Sequence, residues 1–148
     1  MSDDLVALAR EGIDAFNDGD WGRFEAVLAP GSVYDEPGTG RRVEGIDAIM
    51  EVNRSWKAAF PDAKGTIHDV FACGDKVVTE VTWSGTHRGD LPLPDGGSIP
   101  ASGQRIETRA VQVERVEDGK VAETHHYFDM LGMLEQIGAL SPDALAAR

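Results

Sequence analysis

The chain has 148 residues and a formal net charge of −12, and 41% of its residues are apolar, with three Trp, five Phe and two Tyr among them. That length fits one domain able to bury roughly two thirds of its unfolded surface, which excludes a disordered chain. A surface of that charge repels phosphate backbones and anionic lipid, which argues against nucleic-acid and membrane partners.

Cys73 is the single cysteine, so neither an intrachain disulfide nor a cysteine-rich zinc site can form, and a reducing cytoplasm is the expected compartment. The opening MSDDLVALAREG is acidic and amphipathic and lacks the basic and apolar regions of a signal peptide. No apolar run reaches the roughly 18 residues that a membrane span needs.

Residues 3–18 place Leu5, Leu8, Ile13 and Phe16 at helical spacing, with Ser2 as a cap and Asp3 and Asp4 at the positive end of the dipole. Asn17-Asp18-Gly19 ends that helix. Asp20 caps a second, short helix with Phe24, Val27 and Leu28 on one face, and Ala29-Pro30-Gly31 stops it. Residues 32–36, SVYDE, read as a short strand closed by Pro37-Gly38, with 41–44 pairing against it.

A third helix is expected over about 46–59, with Ile46, Ile49, Met50, Trp56 and Phe60 on its apolar stripe. Asn53 falls on the same stripe. An unpaired buried amide costs about 1–3 kcal/mol, so Asn53 either bonds a neighbouring backbone carbonyl or faces a cavity. The pattern leaves both open.

From residue 63 the period changes to two. Strands are expected over 64–73, 76–87, 104–117 and 120–129, with hairpin turns at 73–76 and 117–120, where Asp118-Gly119 is the stronger signal. The stretch 90–103, DLPLPDGGSIPASG, reads as a long loop with no element of its own, of the length that lids and binding loops have. The order of elements is α+β: helices on one face of a curved antiparallel sheet, a cone enclosing a cavity. One domain, 1–148, is expected, with 139–148 as a mobile tail.

Strand parity sorts the polar residues. In 76–87 the more apolar side holds Val77, Thr79, Val81, Trp83, Gly85 and His87, so His87 faces in. In 120–129 one side holds Val121, Glu123, His125, Tyr127 and Asp129, the other Ala122, Thr124, His126 and Phe128. Neither is apolar throughout. The side with His125, Tyr127 and Asp129 has the make-up of a polar pocket floor, or of a face packed on another subunit. Arg105, Glu107 and Arg109 alternate in sign along one side of 104–117, which favours cross-strand salt bridges over an anion site.

His125 and His126 point to opposite sides of one strand, and His68 and His87 lie on others, so no metal site is expected. No GxSxG, glycine-rich phosphate loop or catalytic-cysteine context is present. An enzyme with this sequence would work by acid/base chemistry without a cofactor. Asp129, where the last strand meets the last helix, is either a helix cap or an acid/base group at the pocket mouth.

The order and spacing of several short motifs carry a resemblance. They are Ala15-Phe16-Asn17 with Gly19, Asn53 with Trp56 and Ala59-Phe60, and Gly85-Thr86-His87-Arg88-Gly89. Asp118-Gly119-Lys120-Val121 follows, then Asp129 with Leu131-Gly132 and Gln136-Ile137-Gly138. Over about residues 5–138 the chain resembles the SnoaL-like polyketide cyclase group of the nuclear-transport-factor-2-like (NTF2-like) superfamily. The resemblance implies a homodimer and, at Asp129, the acid/base group of an intramolecular aldol ring closure that uses no metal or organic cofactor. It gives Asn53 the task of orienting the substrate. Two positions depart from the pattern: a Tyr of some cyclases is Phe16 here, and a His on the penultimate strand is Arg115.

The chain is also similar to steroid Δ-isomerases, whose base is an Asp directly before a Pro in the early hairpin. Glu36-Pro37 stands there, which makes Glu36 a second candidate base. The expectation is an enzyme acting on a hydrophobic polycyclic or polyketide-like carbonyl compound. Asp129, His87 and His125 are its catalytic candidates, and Phe16, Glu36, Asn53, Trp56, Trp83, Arg115 and Tyr127 surround the substrate. The alternative is a non-catalytic protein that binds a hydrophobic small ligand on the same fold.

Overall fold

Three helices precede most of the sheet and cover one of its faces. The elements run α1 (Ser2–Asp18), α2 (Trp21–Ala26), β1 (Leu28–Glu36), β2 (Arg41–Glu44) and α3 (Ile46–Ala59), then β3 (Lys64–Cys73), β4 (Lys76–Thr86), β5 (Leu91–Pro92), β6 (Ser98–Ile99), β7 (Arg105–Glu117), β8 (Lys120–Phe128) and α4 (Met130–Gln136). The computed structural model describes residues 2–140. The tail expected from residue 139 therefore lies, from 141 onward, outside the described residues.

Six strands form one sheet in the order β2-β1-β8-β7-β4-β3. Every pairing in it is antiparallel except β1 with β8, which is parallel. The α+β cone is present, with that one joint departing from the expected antiparallel sheet. Register shifts interrupt β1 between Leu28 and Val33, β3 between Ile67 and Asp69, and the β7–β8 pair at Arg115 and Val116. Such bulges add twist and bend a sheet around what it covers. Pro30 sits in the first of them. It has no N–H to give to a ladder, so the Ala29-Pro30-Gly31 stop becomes an irregular stretch inside β1.

Side-chain clamps hold the helices to the sheet. Asn17 donates from Nδ2 to the Gly65 carbonyl at 2.9 Å and accepts the Gly65 N–H at 2.7 Å. Lys57 Nζ donates to the carbonyls of Phe16 at 3.1 Å and Ala63 at 2.7 Å, joining the end of α1 to the segment that leads into β3. Gly65 itself is required by packing: a Cβ there would lie 2.7 Å from the Trp83 ring. The β7–β8 turn has Asp118 at φ 51° and Gly119 at φ 75°, the two positive values that match strand twist in a two-residue hairpin.

The stretch 90–103 does contain an element, the short β5–β6 hairpin turning at Gly96 with φ 91°. Leu91, 2% exposed, anchors it in a cluster with Phe60, Ile106, Met133 and Ile137. Irregular composition concealed these apolar anchors: Leu91, and Ile99, which packs against the same cluster. The expected salt bridges along β7 do not form. Among the described residues Arg105, Glu107 and Arg109 have no ion pair. The Glu107 backbone instead exchanges two hydrogen bonds with the Gln136 amide, fastening α4 to β7.

Candidate active site

The concave side of the sheet and the helices above it line an open-mouthed cavity. Its roof is apolar: Ala9, Gly12, Ile13 and Phe16 of α1, Phe24 of α2, Ile49 and Trp56 of α3, and Phe60 just past its end. Asn53 is the polar exception there. Its Nδ2 donates to the Ile49 carbonyl at 2.9 Å, so both expectations for Asn53 hold at once: the backbone bond forms and the stripe faces a cavity. The floor is more polar, with Tyr34, Thr108, Gln112, Thr124 and His126 beside Trp83 and Phe128.

One chain of hydrogen bonds organises that floor. Trp83 Nε1–H donates to His126 Nε2 at 3.0 Å. Indole N–H only donates, so Nε2 is the bare nitrogen and a neutral ring carries its proton on Nδ1. Nδ1 lies 2.8 Å from the Tyr34 oxygen, and the Tyr34 hydroxyl donates onward to Glu36 Oε2 at 2.5 Å. Burial lowers the His126 pKa to about 4, so the imidazole is neutral at neutral pH. Burial first, then the Glu36 charge, raises the Tyr34 pKa well above its ordinary value and holds the phenol proton in place.

Glu36 ends the chain. It is fully buried, yet both oxygens are saturated: Oε1 accepts from Thr39 at 2.9 Å and Arg41 at 3.0 Å, and Oε2 accepts from Tyr34 and from Trp56 Nε1 at 2.9 Å. Four donors, one of them a guanidinium, meet the requirement that a buried carboxylate be paired. Sitting behind the lining with no free lone pair directed into the cavity, Glu36 anchors the chain and has no room to take a proton directly from a ligand.

The sequence candidates therefore divide. Phe16, Asn53, Trp56 and Trp83 line the cavity, and Glu36 lies just behind it. His87 faces in as its parity implies, but beneath the β5–β6 loop. It is fully buried, stacked on Phe60 at 5.3 Å, with Nδ1 accepting the Ser102 N–H at 3.2 Å. His125 and Tyr127 lie on the opposite side of β8 from the cavity. His125 bonds Asp35 at 3.1 Å and Glu123 at 2.5 Å, and Tyr127 is 47% exposed. Arg115 is on the outer side too, paired with Glu117 at 3.0 Å.

Asp129 is exposed and caps α4, its Oδ1 accepting the Gly132 N–H at 2.8 Å. It is not among the residues that line the cavity.

The physical reason for the reversal on β8 is the bulge. Val121 pairs with Val116, whereas Glu123 pairs with Arg115, so Ala122 is an extra residue and the pleat changes side after it. Val121, 1% exposed, points in, and from there Thr124, His126 and Phe128 point in. The site residues left unassigned by sequence were Tyr34, His126, Gln112, Thr108 and Thr124. The signal for Tyr34 was the alternation Ser32, Tyr34, Glu36, which are all buried on one side of β1.

Among the described residues no three His, Cys, Asp or Glu side chains converge as metal ligands, and no helix is long and apolar enough to cross a membrane.

Comparison with known proteins gives the same cavity fold. A SnoaL-like protein from Jannaschia sp. CCS1 superposes with a TM-score of 0.82 at 24% identity, covering 95% of each chain. TsrD from Streptomyces laurentii is 30% identical, covering 93% of this chain and 96% of its own, with a TM-score of 0.78. IdmH from Streptomyces antibioticus, a candidate polyketide cyclase, is 28% identical over 89% of this chain and 96% of its own, with a TM-score of 0.74. No curated protein matches the chain. The family model for SnoaL-like polyketide cyclases matches residues 7–137, nearly the whole described chain, and the protein belongs to that family.

Proposed function

We propose that the protein is a cofactor-independent acid/base enzyme for a hydrophobic, polyketide-like carbonyl compound, with His126 as its base. The supporting observation is the directional chain from Trp83 through His126 and Tyr34 to Glu36, laid along the floor of an otherwise apolar cavity. A ligand carbonyl α-carbon placed against Nε2 gives its proton to the ring, and the C–H electron pair becomes the double bond of an enolate. The imidazolium that forms keeps its Nδ1–H on Tyr34, whose own proton faces the Glu36 carboxylate. A buried negative charge at the far end stabilises the positive charge at the near end. Asn53 commits one amide hydrogen to Ile49, which leaves the other for the enolate oxygen.

The lowered pKa of His126 narrows the substrate. It keeps the ring in its base form, but each unit of lowered basicity gives up about 1.4 kcal/mol of driving force for proton transfer. A base this weak suits a carbon flanked by two carbonyls, the repeating unit of a poly-β-keto chain, better than a simple ketone. Trp83 holds Nε2 until a ligand arrives, and its indole must turn aside.

Deuterium exchange at the α-carbon of a tetralone β-keto ester tests the proposal. His126→Gln is expected to lower the enzyme-dependent rate by about 10²–10⁴-fold, with ligand quenching of Trp fluorescence retained. Unchanged exchange in His126→Gln removes His126 from the role. The non-catalytic alternative draws on the fact that both His126 nitrogens are already bonded. Probe binding by the wild-type protein without any accelerated exchange favours it. The proposal keeps a homodimeric, cytoplasmic protein, as the resemblance and lone Cys73 suggest.

A further inference from the structure

We infer that Glu114 is a second acid/base group of this cavity, the acid that protonates the oxygen formed when a substrate carbon–carbon bond closes. This rests on the proposed role of His126. Glu114 is not itself among the lining residues; it follows Thr108 and Gln112, which are, on the same side of β7 and before the bulge that reverses the pleat. Its cross-strand neighbours are Thr124 of β8, another lining residue, and the buried Val77 of β4. His126 pairs with Gln112, so Glu114 is its diagonal neighbour, at roughly 7–8 Å between backbones and within reach of long side chains.

The surroundings of Glu114 are the opposite of those of Glu36. Glu36 has four donors, one of them an arginine; Glu114 has one hydrogen bond among the described residues, from Thr124 Oγ1 at 3.3 Å, and no ion pair. Oε1 has no partner, yet it is not among the buried polar atoms lacking one, so it opens onto accessible space. The titratable group that faces it is Tyr34 of β1, with Glu36 and Arg41 beyond. Burial raises its pKa to about 7, the Thr124 bond opposes this, and no charged neighbour contributes. At mildly acidic pH a neutral base on the cavity floor and a neutral carboxylic acid bonded to the lining residue Thr124 therefore stand on adjacent strands. Two titratable groups driven in opposite directions is the pattern by which acid and base roles divide.

The chemistry balances without a co-reactant. His126 takes a proton from carbon, and the resulting enolate carbon attacks a second carbonyl of the same molecule. The π pair of that carbonyl moves to its oxygen, which takes the Glu114 proton. Transfer of the proton from the imidazolium to the Glu114 carboxylate restores both groups.

Two measurements test this. The first uses an aryl β-keto ester carrying an ortho-acetyl group, with ring closure followed by chromatography across pH. The wild-type rate should fall above about pH 7 as Glu114 loses its proton. Glu114→Gln should lower closure by at least tenfold and abolish that alkaline limb. An unchanged limb in Glu114→Gln overturns the inference and leaves His126 untouched, whereas exchange surviving in His126→Gln overturns the proposed function instead. The second needs no variant and no turnover: carboxyl NMR of the ¹³C-Glu-labelled wild-type protein should show the Glu114 resonance titrating near 7. An ordinary carboxylate titration there overturns the inference.

Discussion

His125 and His126 are one peptide bond apart and have opposite chemistry. His125 points away from the cavity, its two ring nitrogens facing Asp35 and Glu123, and those carboxylates raise its pKa, Glu123 most. His126 points into the cavity, where burial lowers its pKa to about 4. The first is favoured as a cation and stacks on the exposed Tyr127. The second is a neutral ring with its tautomer set by Trp83 and Tyr34. The pleat alone assigns these roles, and one inserted residue, Ala122, would exchange them if removed.

The largest expected effect exploits the opposite signs. For His126 the folded pKa lies below the ordinary 6.5, so the unfolded chain takes up the proton first. The stabilisation is complete above about pH 6.5 and is lost as pH falls toward 4, an amount on the order of 3 kcal/mol. For His125 the folded pKa lies above 6.5. Its contribution is present below 6.5 and is lost as pH rises through the folded value, and its partial exposure makes it the smaller of the two. Urea unfolding of the wild type, His126→Gln and His125→Gln over this range measures both as differences at each pH. Slopes of the same sign for the two histidines would break the comparison.

The next effect isolates the relay. Tyr34→Phe leaves the His126 Nδ1–H without its acceptor and removes one of the four donors on Glu36. Buried groups stranded in this way cost about 1–3 kcal/mol of stability. The charge path from Glu36 to the ring is also cut, so kcat is expected to fall at least tenfold, about 1.4 kcal/mol of barrier, with KM nearly unchanged. His125→Gln should alter neither constant. Equal losses of kcat in the two variants would mean that the outer histidine communicates with the cavity.

Much of the fold was legible because local periodicity fixed it. The helical stripes, the change to a period of two, and Asp118-Gly119 gave the elements and the cone, and the apolar stripe of α3 gave Trp56 and Asn53. What sequence could not convey was the relation between distant residues. Nothing in SVYDE shows that Trp56, Arg41 and Thr39 converge on Glu36, so an anchored carboxylate resembled a free one.

Parity counting failed on β8 because Val121 gave the right anchor and the bulge after it gave the wrong continuation. It succeeded for His87, yet burial there meant stacking on Phe60 and a bond to Ser102 of the Pro- and Gly-rich stretch.

The smallest effect concerns Asp129, two residues beyond the last outward-facing ring of β8. Its Oδ1 accepts the Gly132 N–H and its backbone carbonyl accepts that of Met133. A Cβ on Gly132 would lie 2.5 Å from Oδ2, so the cap and the glycine fit one another. Asp129→Ala removes the side-chain bond and leaves the backbone one, which is expected to lower stability by about 1 kcal/mol. Asp129→Asn keeps an acceptor oxygen and should recover most of that loss.

Neither substitution reaches the cavity, so α-proton exchange in the folded protein is expected to stay within twofold of wild type for both. A loss of exchange in Asp129→Asn without a loss of stability would give this carboxylate a chemical role that its position on the outside does not explain.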